Sequence, residues 1–322
     1  MADTDNKGTT GCTGYDSFID EWHNDSPLIV AHTSGSTGTP KAIRLLKDDM
    51  RASARATNRF FGLGEGAVFV VPLSMNYIAA KMMAVRADVS GGYCVALSPA
   101  NEFKLPDGAI DLLAIVPSQV DCLLRHSQWA SRVHNIIIGG APLSDALRKR
   151  LVHSGFNAYE TYGMTETCSH VALKRIGQDF FAAVPGVLFS VDERGCLVVD
   201  VEHFAGERHF VTNDIVELVD RRHFRWLGRY DNVINSGGIK IVPEQLEERI
   251  RALVPDIDFE FIVTGRPSER WGQEVIVKAE TGQCHLDEVF GPLRELLPHT
   301  HLPKAFIAVT ALPRTANGKL RR

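Results

Sequence analysis

A loop of glycine, serine and threonine closed by a lysine is the segment of this chain with the clearest chemical potential. It follows the apolar, strand-like run LIVAH and reads TSGSTGTPK. Glycines let backbone N–H groups point at an anion, hydroxyls add donors and lysine adds positive charge. The pattern predicts a site for the phosphates of a nucleotide triphosphate, formed by Thr33, Ser34, Gly35, Ser36, Thr37, Gly38 and Lys41.

Two alternatives compete with this interpretation. A Walker loop needs the lysine directly after the second glycine and a hydroxyl directly after the lysine. Here Thr39 and Pro40 precede Lys41, and Ala42 follows it. A Ser/Gly-rich segment alone is more often a linker. The strand-like run before it and the Pro-Lys pair that ends it favour a binding loop.

Length and charge narrow the class of function. A chain of 322 residues is long enough for two domains, and 44% hydrophobic with 23% charged residues is typical of a soluble globular protein. With 35 Lys and Arg against 39 Asp and Glu, the net charge of -4 gives no electrostatic basis for binding nucleic acid or an anionic membrane. The balance favours chemistry on a small molecule.

The cysteines and the amino-terminal segment predict the cellular compartment of the protein. The six cysteines form no C-x-x-C pair, which predicts reduced thiols in a cytosol. The segment MADTDNKGTTGCTG lacks the apolar core of a secretory signal. No apolar run approaches the ~20 residues of a membrane helix, and the histidines form no compact metal-ligand set. These features predict a cytoplasmic protein.

Strands and helices alternate after the loop, which is the rhythm of parallel β-α units. From about Phe189 the pattern changes to short strands with turns and predicts an antiparallel subdomain. Predicted helices cover 47–61, 118–126 and 144–153, and predicted strands cover 67–72, 112–116 and 135–138.

A second change of character near Gly228 predicts a domain boundary. A polar turn leads into a Gly-Gly hairpin and then a helix entered at Pro243. We predict a large core domain over 1–229 and a small lid over 230–322, with strands at 259–264 and 274–279 and a helix at 286–297. The predicted fold class is α/β for the large domain plus α+β for the lid.

Five segments, in this order, resemble the adenylate-forming superfamily of acyl-CoA synthetases, luciferases and peptide-synthetase adenylation domains. The chain is identified as a member on these segments together. The resemblance implies ATP, Mg²⁺ and CoA as cofactors and a lid that rotates between two half-reactions. The segments are TSGSTGTPK, YETYGMTET (159–167), TND (212–214), GRYD (228–231) and PRTANGK (313–319).

The YETYGMTET segment supplies three roles by resemblance. Tyr162 stacks on adenine, Thr165 reaches the α-phosphate, and Glu166 helps to hold Mg²⁺. A flat aromatic, a hydroxyl and a hard carboxylate suit those partners. The alternative is a strand end followed by a helix that Thr165 or Thr167 caps.

The next two segments carry ribose and hinge roles by resemblance. Asp214 accepts hydrogen bonds from ribose hydroxyls, Arg229 contacts ribose or phosphate, and the lid hinges at Asp231. Asn213 stands where the family usually has glycine, and asparagine tolerates left-handed backbone, so a turn there can survive. Without the resemblance these residues are a turn and a solvated charge pair.

Lys319 of PRTANGK is the predicted catalytic residue, because a cation between a carboxylate oxygen and the α-phosphorus stabilises the charge that moves between them. A lysine this close to the end of the sequence would otherwise be a solvated tail. By resemblance to acid:CoA ligases, Gly237 and Gly238 of SGGIK line a tunnel for the pantetheine arm of CoA, where bare backbone leaves room for it. A plain turn is compatible with that role.

Three strings, at 116–124, 136–147 and 162–173, resemble the o-succinylbenzoate:CoA ligases of menaquinone biosynthesis. A second carboxylate on the acid would need a cation or several donors, and the candidates are Lys81, Arg86, Ser169 and His170. The predicted acyl pocket also draws on Ser74, Asn76, Gly139, Gly140, Ala141, Gly163 and Met164, with Gly140 and Ala141 also placed at the nucleotide.

Only 32 residues precede Thr33, where family members commonly carry a sizeable subdomain. We interpret the chain as a compact enzyme rather than a reduced homologue that binds nucleotide without turnover, because the nucleotide motifs are retained. The predicted partner is a small carboxylic acid, with no nucleic acid and no membrane. Another aryl- or acyl-CoA ligase and an adenylating enzyme that loads a carrier protein remain alternatives.

Overall fold

The computed structural model describes residues 12–32, 41–282, 285–314 and 320–322. The helices in these ranges are α1 (Tyr15–His23), α2 (Lys47–Phe61), α3 (Ile78–Ser90), α4 (Val120–Arg125), α5 (Asp145–Val152), α6 (Pro243–Leu253), α7 (Leu286–Val289) and α8 (Leu293–Leu296). The strands are β1 (Leu28–His32), β2 (Ala42–Leu46), β3 (Val68–Val71), β4 (Tyr93–Ala96), β5 (Leu112–Ile115), β6 (Ile136–Ile138), β7 (Ala158–Gly163), β8 (His170–Arg175), β9 (Phe181–Ala183), β10 (Val187–Val191), β11 (Cys196–Val201), β12 (His209–Asp220), β13 (His223–Arg229), β14 (Ile234–Ser236), β15 (Ile239–Ile241), β16 (Glu260–Ser268), β17 (Gly272–Glu280) and β18 (Ala305–Val309).

The described residues divide into two compact units. The first comprises Met1–Phe189, Val199–Phe210 and Val219–Phe224, and the second comprises Ser190–Val198, Val211–Leu218 and Arg225–Arg322. Strands β10, β11, β12 and β13 therefore contribute residues to both. The boundary predicted between 229 and 230 stays a prediction.

The largest sheet of the described chain runs in the order β10-β11-β12-β13-β9-β8-β7-β6-β5-β3-β4. Strands β4, β3, β5, β6 and β7 pair in parallel, whereas β8 and β9 continue the sheet antiparallel. The mixed α/β fold with parallel β-α units is confirmed.

Apolar strands and capped helices produce this arrangement. β5 and β6 are buried along their whole length, as expected for parallel strands covered on both faces. Val120 and Leu123 of α4 pack into the same core, and each such side chain contributes about 1.5–3 kcal/mol by burial. Ser144 caps α5 by accepting the Leu147 N–H at 3.2 Å.

The predicted phosphate loop lies between two paired strands. β1 and β2 are antiparallel from Leu28 opposite Leu46 to His32 opposite Ala42. Residues 33–40 lie outside the described residues, so the structure reports only their flanks. The strand predicted before the loop is confirmed, and β2 leads directly into α2.

The second unit holds a separate sheet in the order β15-β14-β17-β16, with β18 parallel to β17. The predicted Gly-Gly hairpin is confirmed, because β14 and β15 pair around Gly237 and Gly238. The single helix predicted over 286–297 is wrong. Gly291 and Pro292 separate α7 from α8, and proline lacks the N–H that a helix interior needs.

The turn predicted at TND is also wrong. Asn213 lies inside the long strand β12. Cys168, not Asn213, is the non-glycine residue with positive φ in the described ranges, so left-handed tolerance is not why asparagine is accepted here. No helix of the described chain is both long and apolar enough to cross a bilayer.

Candidate active site

Motif segments of the first unit meet at one edge of the parallel sheet. Ser74 and Asn76 follow β3, Gly139 follows β6, and Tyr162 is the last residue but one of β7. Because these strands are parallel, their carboxyl ends share one edge. The chain places β4 on one side of β3 and β5 on the other, and in open α/β sheets ligands bind at such a switch point.

Gln119 joins two of these strand ends, a role that sequence reasoning missed. Its Nε2 donates to the carbonyl oxygens of Pro72 and Ala100, both at 2.7 Å, and its Oε1 accepts the Val116 N–H at 3.1 Å. The side chain is 2% exposed. A glutamine between the apolar residues of VPSQVDCLL was the available signal. Gln119 fixes the exits of β3 and β5 relative to each other.

Glycines allow close backbone approach at the same edge. A Cβ on Gly139 would overlap Thr161 Oγ1, and Gly140 has φ of 85°. A Cβ on Gly163 would overlap the Ser169 carbonyl oxygen and lie 2.6 Å from His170 Cα. A side chain at Gly163 would therefore displace backbone beside the predicted acyl pocket, and one at Gly139 would displace the Thr161 side chain.

Thr167 ties the loop that carries Thr165 and Glu166. Its Oγ1 accepts the Met164 N–H at 3.1 Å and lies 2.8 Å from the Ser169 carbonyl oxygen, to which it donates. No helix follows this loop in the described chain, since β8 begins at His170. The helix-cap alternative is therefore wrong. Thr165 is half-buried and Glu166 is exposed at the tip of the loop.

Tyr162 is half-buried against an aromatic wall. Its ring centroid lies 5.0 Å from that of Phe224 and 5.8 Å from that of Phe181. Edge contacts of this kind restrict the ring, which suits a residue that stacks on a base.

Buried ion pairs support β7 below Tyr162. Glu160 accepts two hydrogen bonds from Arg148, at 2.8 and 3.0 Å, and lies 3.2 Å from Lys174 Nζ. Burial alone would raise the pKa of Glu160, but these two cations outweigh it and lower the pKa below its ordinary value. Glu160 is thus ionised and holds β7 to α5 and β8.

A buried polar cluster forms around Arg86 on α3. Arg86 is 1% exposed, donates from Nη2 to Ser169 Oγ at 2.8 Å, and has no hydrogen-bond partner for its Nε. Burial lowers its pKa to about 9. Within the described residues no carboxylate forms an ion pair with it. An unbalanced buried cation is costly, which makes this a place where an anion would be stabilised.

His170 belongs to the same cluster. Its Nε2 lies 3.0 Å from Thr57 Oγ1 on α2, and Ser53 Oγ lies 3.3 Å from Ser169 Oγ. Burial, and then the charge of Arg86, lower the pKa of His170 well below its ordinary value, so the ring is neutral near pH 7. The structure therefore brings together Arg86, Ser169 and His170, three of the four predicted partners of a second carboxylate.

Lys81, the fourth of those predicted residues, is engaged elsewhere in the first unit. Its Nζ lies 3.5 Å from Glu21 Oε2 on α1 and 3.4 Å from the Val30 carbonyl oxygen. It also lies 5.0 Å from the ring centroid of Phe18. These contacts hold α1 against α3.

The second unit carries the predicted ribose and hinge residues. Asp214 Oδ1 accepts from Trp226 Nε1 at 3.1 Å and lies 3.6 Å from Arg229 Nη1. Arg229 Nη2 donates to Asp231 Oδ2 at 2.7 Å. Asp214, Arg229 and Asp231 therefore form one connected group.

The Gly-Gly hairpin packs on an aromatic residue that sequence reasoning missed. Gly237 and Gly238 have φ of 60° and 85°, and a Cβ on Gly237 would lie 2.7 Å from the Trp271 ring. The Gly237 N–H donates to the Trp271 carbonyl oxygen at 2.9 Å. Glycine is required at 237 by the indole and by the left-handed turn.

Lys319 and the loop residues Thr33 to Gly38 lie outside the described residues. Lys41, directly after the loop, is exposed. The roles predicted for these residues stay predictions.

Comparison with known proteins decides the family. A model of the family described as AMP-binding enzyme matches residues 4–203. The chain belongs to the AMP-binding enzyme family. The indoleacetate–CoA ligase of Aromatoleum aromaticum is 26% identical over 340 residues, covering 92% of this chain and 66% of that protein. A 2-succinylbenzoate–CoA ligase of Listeria monocytogenes is 26% identical over 334 residues, covering 95% of this chain and 71% of that protein.

This AMP-binding enzyme therefore spans about two thirds of the length of these curated relatives. Among solved structures, an acyl-CoA synthetase (AMP-forming)/AMP-acid ligase II-like protein from Dyadobacter fermentans is 33% identical with a TM-score of 0.64. The match covers 95% of this chain and 91% of that one. These relatives are named as CoA ligases and as an AMP-forming acyl-CoA synthetase-like protein.

One carboxylate of this AMP-binding enzyme suits the binding of Mg²⁺ together with nucleotide phosphates. Within the described ranges, no three His, Cys, Asp or Glu side chains gather into a group that could hold a metal ion. Mg²⁺ at nucleotide sites is held by one or two carboxylates together with phosphate oxygens. The exposed carboxylate of Glu166, at the tip of its loop, suits that donor set.

Proposed function

We propose that this AMP-binding enzyme is an ATP-dependent acid:CoA ligase. The observation that carries the proposal is the convergence of the Ser74, Gly139 and Tyr162 segments at the carboxyl edge of β3, β6 and β7. That edge, at the switch point of the sheet, is where a nucleotide and a small acid would bind.

The proposed reaction has two steps. A carboxylate oxygen of the acid attacks the α-phosphorus of ATP, and pyrophosphate leaves to give an acyl-adenylate. The thiol of CoA then attacks the acyl carbon, loses its proton and expels AMP. Rotation of the 230–322 lid about Asp231 would let one site serve both steps.

We assign the nucleotide residues as follows. Tyr162 would stack on adenine with its ring held by Phe181 and Phe224, and Thr165 would donate to the α-phosphate. Asp214 would bind the ribose hydroxyls, with Arg229 beside it. Glu166 would hold Mg²⁺, which would supply positive charge to the phosphates.

Lys319 would stabilise the negative charge that develops between the acid and the α-phosphorus. For the second step, the bare turn at Gly237 and Gly238 would admit the pantetheine arm of CoA, with the Trp271 ring beside Gly237. We further propose that the enzyme acts in the cytoplasm.

We infer that the acid is o-succinylbenzoate or a closely similar aromatic acid with a second carboxylate. The support is the buried guanidinium of Arg86. It lacks a carboxylate partner in the described chain and donates a hydrogen bond to Ser169 Oγ. A second carboxylate would balance this charge and accept charge-assisted hydrogen bonds. Neither indoleacetate nor a fatty acid offers a second carboxylate. Relatives named 2-succinylbenzoate–CoA ligase support the same choice.

Two other functions predict different products. An enzyme that loads a carrier protein would exchange pyrophosphate into ATP but transfer the acyl group to a protein-bound thiol rather than to CoA. A noncatalytic homologue would bind ATP without releasing AMP.

The test is mass-spectrometric detection of product from protein, ATP, Mg²⁺ and CoA with o-succinylbenzoate, indoleacetate, benzoate or medium-chain fatty acids. We expect a CoA thioester from o-succinylbenzoate in clear preference to the monocarboxylic acids. Thioester from a monocarboxylic acid alone would keep the ligase class and reject the inferred acid. AMP release without any CoA thioester would favour carrier loading.

A further inference from the structure

Asn213 joins separate segments of the second unit through its side-chain amide. Its Nδ2 donates to Asp231 Oδ1 at 3.1 Å and to Oδ2 at 3.3 Å. Its Oδ1 accepts from Arg194 Nη1 at 2.9 Å. The glycine usual at this position in the superfamily could make neither contact, so this arrangement depends on the residue at which the chain departs from the pattern.

Arg194 fixes which way the amide points. Its Nη2 donates to the Thr212 carbonyl oxygen at 3.0 Å and its Nε donates to Asp192 Oδ2 at 2.8 Å. The guanidinium also lies 5.1 Å from the ring centroid of Tyr230. If the Asn213 amide were flipped, its NH₂ group would face the donors of Arg194, and its oxygen would face the carboxylate of Asp231. The hydrogen bond from Nδ2 to Asp231 is therefore the orientation that the surrounding charges require.

Hydrogen bonds of Thr212 fix strand β12 next to Asn213, whereas Asp231 lies outside this strand. Thr212 Oγ1 accepts the Asp214 N–H at 3.1 Å and donates to the Leu197 carbonyl oxygen at 2.8 Å. Asp231 lies in a single turn after β13, over residues 230–232. A change of backbone dihedrals at Asp231 would swing its carboxylate away from the Asn213 amide and break both hydrogen bonds.

We infer that Asn213, oriented by Arg194, is a latch that restrains the backbone at Asp231 and sets the balance between the two half-reactions. This inference rests on the proposed function, because Asp231 acts as a hinge only if the lid adopts two orientations. Asn213 is a positioning residue here, since it touches neither reacting group.

The latch itself is tested by hydrogen–deuterium exchange of the peptide that contains residues 228–236. Val233 N–H, bonded to the Tyr230 carbonyl oxygen at 3.2 Å, reports opening of the turn. Asn213→Asp keeps the shape but replaces the donor by a like charge, and Asn213→Gly removes the side chain. We expect at least threefold faster exchange in both variants.

Val211→Gly is the matched control, because Val211 is exposed on the same strand and the variant introduces glycine without removing the amide. Its exchange at 228–236 should equal that of the unaltered protein. Unchanged exchange in both Asn213 variants would overturn the latch, whatever the enzyme catalyses.

The consequence for catalysis is tested by single-turnover rates of acyl-adenylate formation and of thioester formation from preformed acyl-adenylate. We expect the ratio of these rates to change at least threefold in both Asn213 variants and to stay constant in Val211→Gly. General destabilisation would lower both rates together. Faster exchange with an unchanged ratio would overturn the role in catalysis. Absence of turnover in the unaltered protein would overturn the proposed function, while the exchange measurement would still decide whether the latch exists.

Discussion

Arg86 Nη2 donates to Ser169 Oγ at 2.8 Å inside the first unit, and within the described chain no carboxylate forms an ion pair with this guanidinium. The pair links α3 to the side chain of Ser169, the residue just before β8. A buried cation without a counter-ion lowers stability. Its position beside Ser169 and His170 is the basis of our proposal that the second carboxylate of the acid binds there.

Replacing Arg86 by an uncharged residue should raise the stability of the protein and lower its activity on o-succinylbenzoate. Arg86→Met removes an unbalanced buried charge, so we expect the free energy of unfolding to rise by about 1 kcal/mol or more. We expect kcat/KM for o-succinylbenzoate to fall ~30-fold, as for the loss of a charged contact of about 2 kcal/mol, and kcat/KM for benzoate to change little. Denaturant titration and thioester assays measure the two effects. Arg55→Met, an exposed change on α2, is the control, and equal losses for both acids would contradict the assignment.

His170 should make the protein less stable in mild acid. The folded pKa lies well below the ordinary value, so as pH falls below about 6.5 the unfolded chain binds a proton that the folded protein does not. Stability therefore falls with pH, by up to about 1.4 kcal/mol per pH unit for this one group. Urea titrations at pH 7 and 5.5 should show a larger loss for the unaltered protein than for His170→Gln. Equal losses in the two proteins would show that His170 protonates in the folded state.

Gly163→Ala should disturb the loop that carries Thr165 and Glu166. The added Cβ would overlap backbone at Ser169 and lie 2.6 Å from His170 Cα, so the loop must move. We expect a stability loss of about 1–3 kcal/mol and adenylation slower by about tenfold or more, measured by pyrophosphate exchange. Gly64→Ala, where no heavy atom lies within 4 Å, should leave both quantities unchanged. Normal exchange in Gly163→Ala would show that the loop is not part of the site.

Lys319→Ala should slow acyl-adenylate formation and leave CoA binding nearly unchanged. Removal of a preorganised charge at the reacting atoms predicts adenylation slower by about 100- to 1,000-fold, with CoA binding little changed. Pyrophosphate exchange and CoA titration measure the two quantities. Lys304→Ala, an exposed lysine of the same unit, controls for loss of charge. Unaltered adenylation in Lys319→Ala would remove this lysine from the mechanism.

Local signals were enough to predict several elements. α2 was predicted with its observed bounds, because Gly62 ends it in the left-handed conformation with φ of 68°. The Gly-Gly hairpin followed from two adjacent residues that allow positive φ. By contrast, α3 was not predicted, because it is buried around most of its circumference and so has no polar face to produce a periodic pattern.

The parts of the site that sequence did not predict depend on contacts between distant residues. Arg86, Ser169 and His170 were predicted as candidates, but the hydrogen bond between Arg86 and Ser169, which joins residues 83 positions apart, was not. Asn213 meets Asp231 across 18 positions, and Gln119 meets Pro72 across 47. A sequence motif shows which residue types are present. Only the folded structure shows which of them have hydrogen-bond or ion-pair partners.

The most direct test of the central claim follows oxygen from the acid. We would supply o-succinylbenzoate with ¹⁸O in its carboxylates, together with ATP, Mg²⁺ and CoA, and analyse the nucleotide by mass spectrometry. Attack of a carboxylate oxygen on the α-phosphorus predicts AMP that carries one ¹⁸O and pyrophosphate that carries none. Formation of ADP, or of AMP without the label, would contradict acyl-adenylate formation by this protein.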